Sequence, residues 1–194
     1  HRRLLEAIKA KAAIPYIKKS IAMGRKVVVF HDYNEGGGIN PFDQSISDDA
    51  ETSGWVNGQQ VKTKLKPLYD EFIARNPYVK DLKFSGYRAP IATLTAAFPD
   101  AMLYNGNVST KQRNKNKADF NTDGNGKNLI IVQSAAGEAG ISLHDITNAH
   151  QRVLLNLGMP NRPTTSLQQE GRIYRVGQAS DALFRYMNTG TNWE

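Results

Sequence analysis

One glutamine and two arginines late in the chain have a spacing suited to phosphate chemistry. Gln168, Arg172 and Arg175 stand at positions i, i+4 and i+7 of the run QQEGRIYRVGQ. On a helix of about 3.6 residues per turn these side chains share one face. Two guanidinium groups on one stripe can grip a polyanion, because arginine stays charged and matches phosphate oxygens bidentately. The alternative is a solvated helix with two surface arginines. Gly171 and Gly177 disfavour it, because a glycine inside a helix costs about 1 kcal/mol relative to alanine and usually has a packing or close-approach reason.

A second candidate is the run SAAGEAGISL at 134–143, which directly follows the clearest strand pattern of the chain. Small residues let backbone N–H groups approach an anion, and Ser134 and Ser142 add hydroxyl groups. The same composition also suits a tight strand-to-helix turn without a ligand. Its place shortly before the arginine run favours the anion-binding interpretation.

Both candidates need a sheet to position them, and the chain supplies short apolar runs for one. Strands are predicted at 26–30, 101–104, 128–133, 152–157 and 183–187. Helical spacing or a cap predicts helices at 4–12, 15–24, 65–73, 91–98, 109–120 and 165–178, with Pro15 starting the second. Strands that alternate with helices indicate an α/β fold, a mainly parallel central sheet between two helical layers. Ligands of such folds bind at the carboxyl ends of the strands, where both candidates lie.

A polar excursion interrupts this alternation at about 34–60, where glycine, serine, aspartate and asparagine prevail. The sequence predicts a loop insertion there, within a single domain that spans 1–194. The excursion could bind a partner, clamp nucleic acid or be a tolerated loop, and we favour the last.

Composition limits the classes of function. The 194 residues carry a net charge of +7, which suggests a polyanionic partner. Basic residues cluster at 1–30 and again at Lys111, Arg113, Lys115 and Lys117, where a nucleic-acid contact and a solvated helix face are both open. The absence of cysteine fits an intracellular, cytoplasmic protein, and the four scattered histidines predict no metal site. No apolar run predicts a membrane span or a secretory signal.

Together these motifs resemble the second RecA-like lobe of superfamily 2 helicases and translocases, of the Swi/Snf-like or strawberry-notch-like kind. The run from Gln168 to Gln178 resembles their motif VI, 134–143 resembles motif V, and 27–33 resembles motif IV. Tyr104-Asn105-Gly106 and 155–163 are similar to segments that flank these motifs in the same proteins. The resemblance covers roughly 25–33 and 100–187. It implies a RecA-like three-layer αβα sandwich and a chain that is a fragment of a longer protein.

The resemblance also implies roles. Arg172 and Arg175 would be arginine fingers for the γ-phosphate of ATP, and Gln168 would help to orient that site. Gly140 and Gly171 would contact the nucleotide. The residues expected on nucleic acid, DNA in preference to RNA, are Ser134, Gly137, Ser142, Lys111 and Arg113. Glu138 departs from the expected chemistry, because a carboxylate repels phosphate; it either points away or pairs with an arginine of motif VI.

The chain lacks other parts of an ATPase. It has no G-x-x-x-x-G-K-[ST] phosphate loop and no Asp-Glu pair in an apolar strand to hold Mg²⁺. In this family the N-terminal RecA-like lobe of the same protein supplies those parts and binds most of the ATP and Mg²⁺. We therefore predict that the fragment alone hydrolyses no ATP. The alternatives are a non-catalytic nucleic-acid-binding module with a helicase-like fold and a Rossmann-like nucleotide-transferase lobe. The arginine pair disfavours the first, and the absence of G-x-G-x-x-G after a strand disfavours the second.

Overall fold

Five parallel strands form the central sheet, close to where the apolar runs predict them. The computed structural model describes residues 2–137, 140–158 and 163–190. In chain order its elements are α1 (Arg2–Ala22), β1 (Lys26–His31), β2 (Glu51–Val56), β3 (Gln59–Lys64), α2 (Leu65–Arg75), a 3₁₀ turn (Pro77–Asp81), α3 (Pro90–Ala97), β4 (Met102–Tyr104), α4 (Thr110–Asn121), β5 (Leu129–Gln133), α5 (Ser134–Gly137), β6 (Arg152–Asn156), α6 (Pro163–Glu170) and β7 (Leu183–Tyr186). The sheet order is β4-β5-β1-β6-β7, and every adjacent pair is parallel. The predicted parallel sheet is confirmed.

The sheet is buried on both faces, which explains why its strands are largely apolar. Alternate residues of β1 point to opposite sides, so Val27 and Val29 enter one core and Val28 and Phe30 the other. The first core packs against α1 and α3, and the second against α4 and the segment around Leu143. Each buried aliphatic side chain contributes about 1.5–3 kcal/mol relative to exposure. This is the predicted three-layer arrangement.

The flanking helices follow the sequence with one difference. Ser109 caps α4 as predicted, its Oγ accepting a hydrogen bond from the Gln112 N–H at 3.3 Å. Pro15, in contrast, lies inside a continuous α1 and begins no second helix. The lost backbone hydrogen bond is tolerated because Ala13 and Ile17, on either side, are fully buried in the core. Within the described ranges no helix is long and apolar enough to cross a bilayer.

The polar excursion contains regular structure that the sequence analysis did not foresee. Strands β2 and β3 form an antiparallel hairpin whose turn residues, Asn57 and Gly58, both have positive φ. This is the backbone of a type I′ turn, for which Asn-Gly is the preferred pair. The chain divides into two compact units, one of residues 1–37 and 87–194 and the other of 38–86. The second unit holds the hairpin, α2 and the 3₁₀ turn, so it extends well beyond residue 60.

Candidate functional site

The helix that carries Gln168 ends before the two arginines. α6 stops at Glu170, and the following N–H groups switch from an i−4 acceptor at Gly171 to an i−3 acceptor at Arg172. The predicted common helical face of Gln168, Arg172 and Arg175 is therefore wrong. Turns after the helix carry both arginines, and Gln168 is exposed on the helix itself.

The two arginines have different surroundings in these turns, which we call the arginine turn (171–178). Arg172 is 8% exposed, and its carbonyl accepts a hydrogen bond from the Leu143 N–H at 2.8 Å. Arg175 is exposed, and its Nε donates to the Gly171 carbonyl at 2.9 Å. Its Nη1 donates to Ser142 Oγ at 2.5 Å. The turn therefore contacts the end of the small-residue segment through both arginines.

That segment, which we call the serine loop (134–143), begins at the carboxyl end of β5. Ser134 starts the short helix α5, which ends at Gly137, and the Ser134 side chain is buried. Gly140 has φ +77°, a backbone conformation that favours glycine. Glu138 lies outside the described residues, so its predicted orientation stays a prediction.

A buried hydrogen-bond chain joins the serine loop to α6, and the sequence analysis missed its central residue. Asn156 Nδ2 donates to Gln169 Oε1 at 2.5 Å, and Gln169 Nε2 donates to Ser134 Oγ at 3.0 Å. The Ser134 hydroxyl donates in turn to the His31 carbonyl at 3.2 Å. Three strand ends, those of β1, β5 and β6, are thereby tied to the helix that leads into the arginine turn. Asn156 was the available signal, because a polar residue in a buried strand requires a buried partner.

Replacing Gln169 by leucine should therefore destabilise the fold. The substitution leaves a buried amide of Asn156 without its acceptor and the Ser134 oxygen without its donor. We expect a loss of about 2–6 kcal/mol in the free energy of unfolding, from about 1–3 kcal/mol for each of the two unsatisfied groups. Gln168→Leu, one residue earlier and exposed, is the matched control and should change stability by less than about 0.5 kcal/mol. Urea titrations of both variants measure the difference; equal effects would contradict the role assigned to the buried chain.

Lys111 and Arg113 lie elsewhere, on α4 beside the edge strand β4. Lys111 is exposed. Arg113 is half-buried, with its guanidinium 5.6 Å from the ring centre of Tyr104 and a hydrogen bond of 3.1 Å to Thr110 Oγ1. Two strands, β5 and β1, separate β4 from β6 in the sheet order. The structure thus brings Ser134, Ser142 and the two arginines together, whereas Lys111 and Arg113 lie in the first turn of α4, which follows the edge strand β4.

Two buried titratable groups lie at the carboxyl end of β1. Glu6 of α1 accepts hydrogen bonds from the N–H groups of Asp32 at 2.7 Å and Tyr33 at 3.1 Å. Burial raises the pKa of Glu6 to about 7, and the neighbouring Asp32 carboxylate adds to the rise. Burial also lowers the pKa of His31 to about 4, although its Nδ1 lies 3.2 Å from the Tyr33 carbonyl. Near neutral pH this strand end therefore carries a neutral imidazole and a carboxyl close to its midpoint.

A polar cleft of about 320 Å³ opens beside this strand end. Its wall includes the Arg3 guanidinium, 5.5 Å from the ring centre of Tyr33, and the amides of Asn34 and Gln133, which are hydrogen-bonded to each other at 2.9 Å. Among the residues that the structure describes, no group of three or more histidine, cysteine, aspartate or glutamate side chains is placed to hold a metal ion. Asp32 and Glu35 also line the cleft, so it offers both hydrogen-bond donors and acceptors to a polar ligand.

Comparisons with known proteins agree with this architecture. Residues 101–194 match the family described as the C-terminal domain on Strawberry notch homologue. Over 80 residues, 41% of this chain, the sequence is 40% identical to a protein of Acanthamoeba polyphaga mimivirus named as an ATP-dependent RNA helicase, L364. The matched region covers 14% of that protein.

Solved structures share the fold at low sequence identity. The C-terminal part of the Fun30 ATPase domain superposes with a TM-score of 0.51 at 13% identity, over 92% of this chain and 41% of that chain. The RNA helicase Prp28 from Chaetomium thermophilum, bound to ADP, gives a TM-score of 0.46 at 13% identity, over 92% of this chain and 30% of that chain. The likeness to the Fun30 domain supports the fold. The superposition on Prp28 is too loose to support an argument. The chain spans less than half of each of these proteins.

Proposed function

We propose, from the premise that this chain carries the second, C-terminal RecA-like domain of a superfamily 2 helicase, that it is one motor lobe of an ATP-dependent nucleic-acid helicase or translocase. One observation carries the proposal. The arginine turn and the serine loop contact each other directly, through Arg175 on Ser142 and through the Arg172 carbonyl on the Leu143 N–H. The arginine turn, which would bind phosphate, is thereby hydrogen-bonded to the serine loop, which would contact the nucleic-acid backbone.

The nucleotide role falls mainly on Arg175. Its guanidinium is exposed, and two hydrogen bonds hold it in place, so it can meet the γ-phosphate of ATP bound on the N-terminal lobe of the same protein. Such a cation stabilises the charge that develops during phosphoryl transfer. Arg172, which is buried, would support the turn and complete the positive field. Gln168, Gly140 and Gly171 would border the nucleotide, while the carboxylates that bind Mg²⁺ would come from the other lobe.

The nucleic-acid role falls on the serine loop. Because the Ser134 hydroxyl is engaged internally, that residue would contact phosphate through its backbone N–H, as would Gly137. Ser142 would shift its hydroxyl between Arg175 and the nucleic acid. Lys111 and Arg113 would make a separate backbone contact from α4. Sequence resemblance favours DNA and the name of the mimivirus protein favours RNA, so both are candidate tracks.

Steady-state ATP turnover of a protein that contains both lobes tests the proposal. We expect turnover that rises on addition of DNA or RNA, and none from this chain alone, because the phosphate loop would belong to the other lobe. The nucleic acid that stimulates turnover identifies the track. A folded two-lobe protein that binds nucleic acid without hydrolysing ATP would contradict the motor and favour the non-catalytic binding module.

A further inference from the structure

The hairpin of β2 and β3 buries none of its twelve strand residues. An isolated two-stranded hairpin is marginally stable in water unless it packs against other structure. Burial in a core therefore does not account for its side chains, among them a tryptophan that is 75% exposed. The open ring of Trp55 is therefore free to stack against a planar ligand.

The register of the hairpin sorts its side chains onto two different faces. Directly paired residues share a face, and successive pairs alternate. One face carries Trp55 with Gln60, Ser53 with Lys62, and Glu51 with Lys64. The other carries Val56 with Gln59, Gly54 with Val61, and Thr52 with Thr63. Every charged residue of the hairpin thus lies on the tryptophan face, and the opposite face is neutral.

We propose that this tryptophan face binds single-stranded nucleic acid, with one unpaired base stacked on the Trp55 ring and the flanking phosphates held by Lys62 and Lys64. An aromatic platform beside cations is the combination that single strands require, since every base offers a ring face and every linkage a negative charge. Neighbouring positions on one face are about 7 Å apart, twice the strand rise, so Lys62 lies beside a nucleotide stacked on Trp55, and Lys64, about 14 Å along the strand, lies beside a phosphate further along the chain.

The one acidic residue of this face does not block it. Glu51 lies 3.6 Å from Lys62 Nζ, and both side chains are largely exposed. An exposed pair of this kind contributes little, so a phosphate can replace the carboxylate as the partner of the lysine. A protein partner fits less well, because polar Gln60 and Ser53 surround the indole and leave no continuous apolar patch. The inference rests on the proposed function, in which the same protein acts on nucleic acid.

Affinity of the full-length protein for fluorescein-labelled dT₂₀ and U₂₀ tests the surface. Trp55→Ala should weaken binding about 5- to 150-fold, the value of one base stack, and Trp55→Phe should restore most of it. Val56→Ala, the exposed neighbour on the opposite face, is the matched control and should leave the affinity unchanged. The same Trp55→Ala variant should lose much less affinity for a blunt duplex, which offers no unpaired base.

Salt dependence separates the lysines from the ring. Lys62→Gln and Lys64→Gln should each reduce the slope of log K against log salt by about 0.7, the value for one phosphate contact on a single strand. Trp55→Ala should leave this slope unchanged, and so should Lys83→Gln, an exposed lysine of the same unit outside the hairpin.

The outcomes distinguish this surface from the proposed motor. If the protein hydrolyses ATP in response to nucleic acid but Trp55→Ala binds dT₂₀ and U₂₀ like wild type, the inference fails and the motor stands. Equal losses for Trp55→Ala and Val56→Ala, or equal losses on single strand and duplex, would also overturn it. If Trp55→Ala weakens binding selectively in a protein without ATP turnover, the surface stands and the motor fails.

Discussion

Replacing Arg175 by alanine in the two-lobe protein should lower ATP turnover by about 10³- to 10⁵-fold, the range associated with an arginine finger. The dissociation constant for ATP should change by no more than a few-fold, because most of the ATP contacts would lie on the other lobe. Arg175 is the better test of the two arginines, since it is exposed and its loss leaves no buried group without a partner. Arg172 is buried, so its removal would also destabilise the turn.

Arg185→Ala is the control for this experiment. Arg185 is an exposed arginine of β7, in the same compact unit but outside the arginine turn. Its replacement by alanine removes the same charge as Arg175→Ala. Turnover of that variant should remain within about twofold of wild type, as for an ordinary surface substitution. Wild-type turnover in Arg175→Ala would refute the finger assignment. A parallel loss in both variants would instead indicate a general effect of net charge on nucleic-acid binding.

The second large effect concerns the pH dependence of stability. The pKa of Glu6 is raised in the fold, so its contribution is present below its unfolded value near 4.5 and is lost as the pH rises through about 7. The pKa of His31 is lowered, so its contribution is present above its unfolded value near 6.5 and is lost as the pH falls through about 4. Each shift corresponds to about 3 kcal/mol. The two slopes oppose each other and nearly cancel between pH 4.5 and 6.5.

Single substitutions should expose each slope. Relative to wild type, Glu6→Gln should gain about 3 kcal/mol of stability as the pH rises from 4.5 to 7.5. The variant lacks the carboxyl group whose raised pKa makes the wild type lose stability over this range. His31→Asn should lose a similar amount relative to wild type over the same range. Denaturant unfolding of each variant beside wild type at each pH gives these differences and removes the contributions of all other groups. Parallel stability curves for wild type and variants would show that neither residue has a shifted pKa.

The sheet was predictable from sequence because its signal is local. A strand such as Val27-Val28-Val29-Phe30 is buried on both faces, so its whole length is apolar and its position is evident. The cap of α4 was predictable for the same reason, since Ser109 and Gln112 are near neighbours. The parallel arrangement followed from the alternation of strands with helices.

What the sequence analysis missed depends on contacts between distant residues or on turn chemistry. The end of α6 was missed because the helical spacing of Gln168 and the arginines continues past Glu170, whereas the backbone tightens at Gly171. Gln169 was missed because its role depends on hydrogen bonds to Asn156 and Ser134, which lie at the ends of two different strands. Asn57-Gly58 is a pair typical of a hairpin turn, but the strands on either side are exposed on both faces. They therefore lack the apolar alternation that indicates a strand.

The position of β1 in the sheet has a consequence for synthesis on the ribosome. β1 is the middle strand, yet its partners lie far along the chain; Val27 pairs with Leu129 on one side and with Val153 on the other. At roughly 5–20 residues per second, about 100 residues take some 5–20 s to be translated. Throughout that interval a largely apolar strand has both edges unpaired, which is a state prone to aggregation. The segment 38–86 is already synthesised by then, whereas the sheet must wait for β5 and β6.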